Sequence, residues 1–148
     1  MWVRLARIAV GVGVALLGSV AIANTPAHAA DVWQPKTPPL STRWTQLVGP
    51  NNALAEYPRP QLSRTKWLNL NGLWGYAGRP AKAAVAAPSE SDYREQILVP
   101  FPTESALSGV QRHDDQMWYR KVFEVPGDWD NQHVLLHFGA VDQIATVW

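Results

Sequence analysis

Two groups of titratable side chains have residue types that could bind a metal ion. His113, Asp114 and Asp115 are consecutive, and histidine and carboxylates are common ligands of zinc and of hard cations. Consecutive residues of an extended segment point to opposite sides, so we expect a solvated loop here. His133 and His137 lie in a segment typical of a strand, where four residues span about 13 Å. We therefore expect ordinary strand histidines rather than a metal site.

Glycoside hydrolysis and nucleophilic catalysis each need a specific arrangement of side chains. A glycosidase needs two opposed carboxyl groups, about 5 Å or roughly 6.5–9.5 Å apart. Asp128 and Asp130 flank Trp129 in a turn pattern, and Glu124 is a polar residue in an apolar strand, so neither pattern indicates such a pair. Ser108-Gly109 is a turn signal and not the Gly-x-Ser-x-Gly motif of a nucleophilic serine. We predict no catalytic residue, no metal ligand and no cofactor-binding residue.

The chain has 8 Trp residues, whose flat apolar rings suit both a core and the stacking face of a sugar site. Those inside strand patterns are expected in the core: Trp67, Trp74 and Trp118. Those outside clean strands are the candidates for ligand contact: Trp33, Trp44 and Trp129.

Composition excludes several classes of protein. The chain carries 13 Lys+Arg against 12 Asp+Glu, and this balance argues against a nucleic-acid partner, which needs clustered positive charge. Its 47% hydrophobic and 17% charged residues exclude compositional disorder. It has no cysteine, which excludes disulfides, zinc-thiolate sites, iron–sulfur clusters and thiol catalysis. The 12 Pro and the many Trp favour an all-β protein.

Residues 1–29 are predicted to be a secretory signal peptide. Arg4 and Arg7 precede the uncharged run from Ile8 to Ala23, and Ala27-His28-Ala29 has the small-x-small pattern of a cleavage site. The run is shorter than the roughly 20 residues that span a bilayer, so an uncleaved anchor is the less favoured alternative. We expect a secreted protein without stable membrane insertion.

Prolines predict an irregular course after the leader. Residues 30–51 are expected to form an extended N-terminal tether, and the chain stays irregular to residue 66. Trp67–Leu70 and Leu73–Tyr76, joined by Asn71-Gly72, predict a β-hairpin. The loop that follows is expected over Gly78 to Asp92.

The rest of the chain predicts further short strands. Gln96 to Val99 should end at Pro100, and Thr103 is the expected cap of a helical turn that ends at Gly109. The remaining predicted strands are Met117–Val125, followed by a turn at Pro126–Asp128, then Val134–Phe138 and Gln143–Trp148.

Strand signals every eight to fifteen residues predict an antiparallel β-sandwich or jelly roll. In Met117–Val125, Tyr119, Phe123 and Val125 alternate with Trp118 and Val122, and two apolar faces are typical of a sandwich interior strand. We expect Phe123, Val125, Leu136 and Phe138 to line the inner face. Ile144 to Trp148 is still typical of a strand, so we expect the sandwich, spanning residues 52–148, to be incomplete at its C-terminus.

A series of sequence landmarks follows in one order between Asn52 and Trp148. They are Asn52–Gln61, Trp67–Trp74, Val99–Pro102 with Glu104-Ser105, Trp118–Pro126, Val134–Val141 and Ala145–Trp148. Together they resemble the N-terminal sugar-binding domain of glycoside hydrolase family 2, a galactose-binding-domain-like jelly roll.

The resemblance implies that the chain is the N-terminal part of a secreted β-galactosidase, β-glucuronidase or β-mannosidase type of enzyme that hydrolyses β-linked glycosides. It also implies downstream immunoglobulin-like and barrel domains, with both catalytic glutamates of the retaining mechanism in the barrel. The segment itself is then non-catalytic. The alternative from another class is a stand-alone secreted jelly-roll carbohydrate-binding module.

Overall fold

The computed structural model shows a β-rich protein without α-helices among the residues it describes. Those residues are 32–56, 61, 63–79, 88–141 and 144–148. The predicted leader, residues 1–29, lies outside them. Within the described part of the chain, no helix is long and apolar enough to cross a membrane.

The fold is built on one antiparallel sheet of three strands in the order β2-β1-β3. The strands are β1 (Gly72–Arg79), β2 (Glu95–Val99) and β3 (Gln116–Arg120). Tyr76 in the central strand lies opposite Glu95 on one side and opposite Tyr119 on the other. Four single 3-10 turns accompany the described strands: Thr45–Leu47, Glu90–Asp92, Ala106–Ser108 and Gly127–Trp129.

Each face of the sheet buries side chains, because successive residues of a strand point to opposite sides. On one face Tyr76, Ile97 and Val110 form the buried cluster, against which Trp74 and Val99 pack. The other face buries Ala77, Leu98 and Trp118, with Ala77 opposite Trp118 in the register. Trp118 is only 9% exposed, which confirms its predicted place in the core.

The hairpin predicted at Asn71-Gly72 is wrong, because only its second half is a strand. Asn69 and Asn71 each donate a side-chain hydrogen bond to the carbonyl of Leu54, at 2.8 and 3.2 Å. The Asn69 side chain also accepts from the backbone N–H of Asn71 at 2.8 Å. These bonds hold the chain against the turn at Leu54, and the partners of β1 are β2 and β3 instead.

The predictions for the middle of the chain are largely confirmed. β2 ends directly before Pro100, which has no N–H to continue a ladder. The helical turn ends at Gly109 as expected, but its cap is Ser105, whose hydroxyl accepts from the N–H of Leu107 at 3.2 Å, rather than Thr103. The loop after β1 starts later than predicted, because β1 continues to Arg79.

The C-terminal predictions fail in part. β3 ends at Arg120, and after it the Lys121 side chain, rather than the backbone, contacts β1 by donating to the Leu73 carbonyl at 2.8 Å. Among the described residues after Arg120 there is no strand, since strand formation needs a neighbouring strand as well as an apolar sequence. The predicted inner-face residues are therefore exposed, together with many neighbours: Val122, Phe123, Val125, Val134, Leu135, Leu136, Phe138, Val141, Ile144, Val147 and Trp148.

The predicted N-terminal tether instead docks on the sheet. The segment Val32–Lys36, here called the strap, is held by three long-range hydrogen bonds. Trp33 donates its backbone N–H to Gln96 Oε1 at 3.2 Å and its indole N–H to the Ser108 carbonyl at 2.9 Å. Lys36 donates its N–H to the Ala106 carbonyl at 2.9 Å. Residues 32–36 therefore belong to the folded body.

Gly109 makes the seat of the strap. Its φ is +85°, a backbone conformation that disfavours other residues, and a Cβ there would lie 2.5 Å from Trp33 Cδ1. We expect Gly109→Ala to lower the free energy of unfolding by about 1–2 kcal/mol from the left-handed backbone alone, and further if the strap is displaced. Gly139→Ala is the matched control, since a Cβ there meets nothing within 4 Å. Urea unfolding followed by Trp fluorescence measures both variants, and equal midpoints would contradict this role of Gly109.

Candidate functional site

A network of charged side chains lies where β1 ends, β2 begins and the chain approaches β3. Arg112 makes a bidentate ion pair with Glu95, with Nη1–Oε1 at 2.9 Å and Nη2–Oε2 at 2.5 Å. Its Nε donates to Asp114 Oδ2 at 2.9 Å. A planar guanidinium suits this fork geometry better than any other side chain. Arg112 thus joins two carboxylates from separate segments.

Tyr76 connects this ion-pair network to the core. Its hydroxyl donates to Asp114 Oδ2 at 2.7 Å, while its ring lies under the Arg112 guanidinium, 5.7 Å from ring centroid to Cζ. Gly78 provides the space, because a Cβ at that position would overlap the Asp114 carboxylate. The Asp114 side chain is only 16% exposed. The prediction of a solvated loop is therefore wrong for Asp114, which points inward.

The network is positioned to hold structure rather than to transfer protons near neutral pH. Burial, together with the hydrogen bond to Asp114, raises the pKa of Tyr76, which keeps its hydroxyl protonated as a donor. The hydrogen bonds that Arg112 donates to Glu95 raise the pKa of Arg112 further above its already high ordinary value. Neither group is suited to act as a general acid or base at pH 7.

His113 points away from the network and forms an exposed pair with Glu104. The His113 Nδ1–Glu104 Oε1 distance is 2.8 Å, and Nε2 lies 3.7 Å from Asp115 Oδ1. The hydrogen bond with Glu104 raises the pKa of His113, and the same bond lowers the pKa of Glu104. Adjacent residues do point to opposite sides here, so His113 and Asp114 do not share a site.

The other candidate groups form no metal-binding cluster among the described residues. No group of three or more metal-ligating side chains that could hold an ion exists among the residues with described positions. His137 lies beside Trp67, with ring centroids 6.1 Å apart. Asp128 pairs with Lys66 at 3.4 Å on the surface, and Glu124 is exposed.

The tryptophans outside the sheet differ in how much of each ring could meet a ligand. Trp33 is half-buried in the strap's seat, so its role is packing. Trp44 is 58% exposed, although the Arg43 guanidinium lies over its ring at 4.3 Å. Trp129 is half-buried in its 3-10 turn. Of the three sequence candidates, Trp44 offers the most open ring face.

Beside the network, a surface recess of about 270 Å³ opens between the end of β1 and the start of β2. Sequence reasoning singled out the neighbours of Arg112 but not Arg112 itself, because its partner Glu95 is 17 residues away. The recess lining is Tyr76, Ala77, Gly78, Arg79, Asp92, Arg94, Glu95 and Arg112.

No protein-family model matches the chain, and a search of curated proteins finds no match.

Removing the carboxylate that the network shares should cost more than removing one donor. Asp114→Ala leaves the Tyr76 hydroxyl and Arg112 Nε without this acceptor, and we expect a loss of about 1–3 kcal/mol of unfolding free energy. Tyr76→Phe removes only one donor and keeps the Arg112 contact, so about 1 kcal/mol is expected. Chemical denaturation of both variants checks the order. A smaller loss for Asp114→Ala than for Tyr76→Phe would refute the network.

The His113–Glu104 pair should be measurable by titration. In NMR titrations His113 should show a pKa above its ordinary value of 6.5, and Glu104→Gln should bring it back toward that value. Any stabilisation by the His113 charge is full below the ordinary pKa and disappears as the pH rises through the raised one. At low pH the pair is lost as the pH falls through the lowered pKa of Glu104. Asp128→Asn is the control and should leave the titration of His113 unchanged; a shift caused equally by both variants would exclude the pair.

Proposed function

We propose that the chain is the N-terminal part of a secreted glycosidase of the glycoside hydrolase family 2 type, in which it serves as the non-catalytic sugar-binding domain. The observation that carries this proposal is the ordered series of sequence landmarks between Asn52 and Trp148. A chance match to one such landmark is common, whereas several in the same order are not.

The arrangement of the landmarks in space supports the proposal. Leu73 and Trp74, at the end of one landmark, lie in β1, and Val99, at the start of the next, closes β2. Trp118 to Arg120, which open a third, form the second half of β3. Both outer strands pair with β1. Segments that are well separated in the sequence therefore belong to one sheet, as expected if they form a single domain.

The exposed apolar segment after β3 supports the finer proposal of a jelly-roll sandwich. Contiguous exposed apolar surface indicates a face that another part of the protein covers. The proposal assigns Val134–Phe138 and Ile144–Trp148 to strands of a second sheet. Phe123, Val125, Leu136 and Phe138 would then face inward toward the three-stranded sheet.

The polar chemistry is consistent with a segment that does not catalyse. Retaining hydrolysis requires one carboxyl group that attacks the sugar and another that donates a proton. Glu95 gives both of its oxygens to Arg112, and Asp114 accepts from Arg112 and Tyr76. These two carboxylates have structural roles, and the family resemblance implies that the reaction takes place in a downstream barrel.

The proposal is tested on the gene and on its product. The reading frame should continue beyond the codon for Trp148 into further domains, and the secreted product should begin at Ala30 or Asp31. The 148-residue chain expressed alone should not hydrolyse aryl β-galactosides, β-glucuronides or β-mannosides. A stop codon directly after Trp148 would favour the stand-alone carbohydrate-binding module. Hydrolysis that is abolished by mutating an acid of this chain would refute the non-catalytic role.

A further inference from the structure

The recess beside β1 has a charged lining and, among the described residues, a backbone edge without a partner strand. β1 pairs with β2 only as far as Tyr76 and Glu95, so residues 77–79 extend past the start of β2 while pairing with β3 on the other side. Three arginines and two acids line the recess: Arg79, Arg94, Arg112, Asp92 and Glu95. The three positive and two negative side chains leave the lining with one excess positive charge.

Both carboxylates that line the recess already accept hydrogen bonds from other residues of the protein. Glu95 holds Arg112 with both oxygens. Asp92 Oδ2 accepts from the backbone N–H and the hydroxyl of Ser89, at 2.8 and 2.9 Å. The Ser89 hydroxyl is the main cause of the lowered pKa of Asp92, which keeps this carboxylate ionised. The protein's own donors therefore already compete for these carboxylates.

Donor groups, in contrast, remain available. The only hydrogen bond that the Arg94 side chain makes with the described residues is a long one, from Nε to the Ser91 carbonyl at 3.4 Å. No carboxylate oxygen of the described residues lies within 4.0 Å of its guanidinium nitrogens. Arg79 contacts Asp92 only at 3.6 Å. Since a guanidinium has five N–H donors, Arg94 and Arg79 can still donate to a ligand.

We propose that this recess binds a small ligand through a carboxylate group, with Arg94 as the principal contact and Arg79 as the second. Free donors and one excess cation match a planar monoanion, whereas a dianion would leave one negative charge uncompensated beside Asp92 and Glu95. Arg112 is held by Glu95 and contributes positive field rather than a direct bond. The carboxylate can belong to a simple organic acid or to an acidic sugar. The site does not depend on the proposed function; only the sugar source does.

The test compares ligands that differ in one group. D-galacturonate and D-galactose differ only at the carboxylate, acetate carries the carboxylate without the sugar, and sulfate is a dianion. Binding to the full chain is followed by the NMR shifts of the Ala77 and Gly78 amides. We expect D-galacturonate to bind at least about tenfold more tightly than D-galactose, because charge-assisted hydrogen bonds are the stronger class. The affinity should fall with added salt.

Variants identify the contact. Arg94→Gln should weaken D-galacturonate binding at least about tenfold, Arg94→Lys should restore part of it, and Arg43→Gln, outside the recess, should leave it unchanged. If acetate binds as tightly as D-galacturonate, the ligand is a simple organic acid. If D-galacturonate binds more tightly than acetate, the ligand is an acidic sugar. Either result supports the carboxylate site. Equal affinity for the two sugars, tighter binding of sulfate, an unaffected Arg94→Gln variant or the absence of saturable shifts would each overturn it.

Discussion

The structure depends on β1 having a neighbour on each side. Because it is the central strand, its residues meet partners from two distant parts of the chain, and Tyr76 becomes fully buried between Glu95 and Tyr119. The buried cluster with Ile97 and Val110 follows from that register. The strap is then anchored to elements that the sheet has already positioned, through Gln96 and Ser108.

The same constraint organises the charges. Tyr76 carries a hydroxyl into a buried environment, where an unpaired donor would cost free energy, and Asp114 accepts from it. The carboxylate in turn is paired with Arg112, and Arg112 with Glu95 at the start of β2. A short chain of interactions thus ties the end of the core to the start of an outer strand. Arg94 lies at the border of the recess, outside this network. Its available N–H donors are the basis of the proposed carboxylate site.

The sequence predicted best where the signal was local. Pro100 ends β2, Gly109 ends its turn and Trp118 is buried.

Prediction from the sequence failed where tertiary contacts decide the structure. The Asn71-Gly72 pattern favours a hairpin, but the hydrogen bonds to Leu54 hold the chain elsewhere. Prolines around Trp33 suggested a tether, but the seat at Gly109 lies far along the sequence. The sequence pattern places Asp114 with His113 and Asp115, but of these three residues it is Asp114 that contacts Tyr76.

The account separates an ordered sheet around β1 from an apolar segment after Arg120 that the proposed function assigns to a second sheet. Amide hydrogen exchange of the full chain distinguishes the two most directly, since protection reports local opening free energy. We predict the greatest protection for the paired amides of β1. Residues 134–138 and 144–148 belong to no strand of the described structure, so in the 148-residue chain alone we predict rapid exchange there. Protection of those two segments equal to that of β1 would contradict the account.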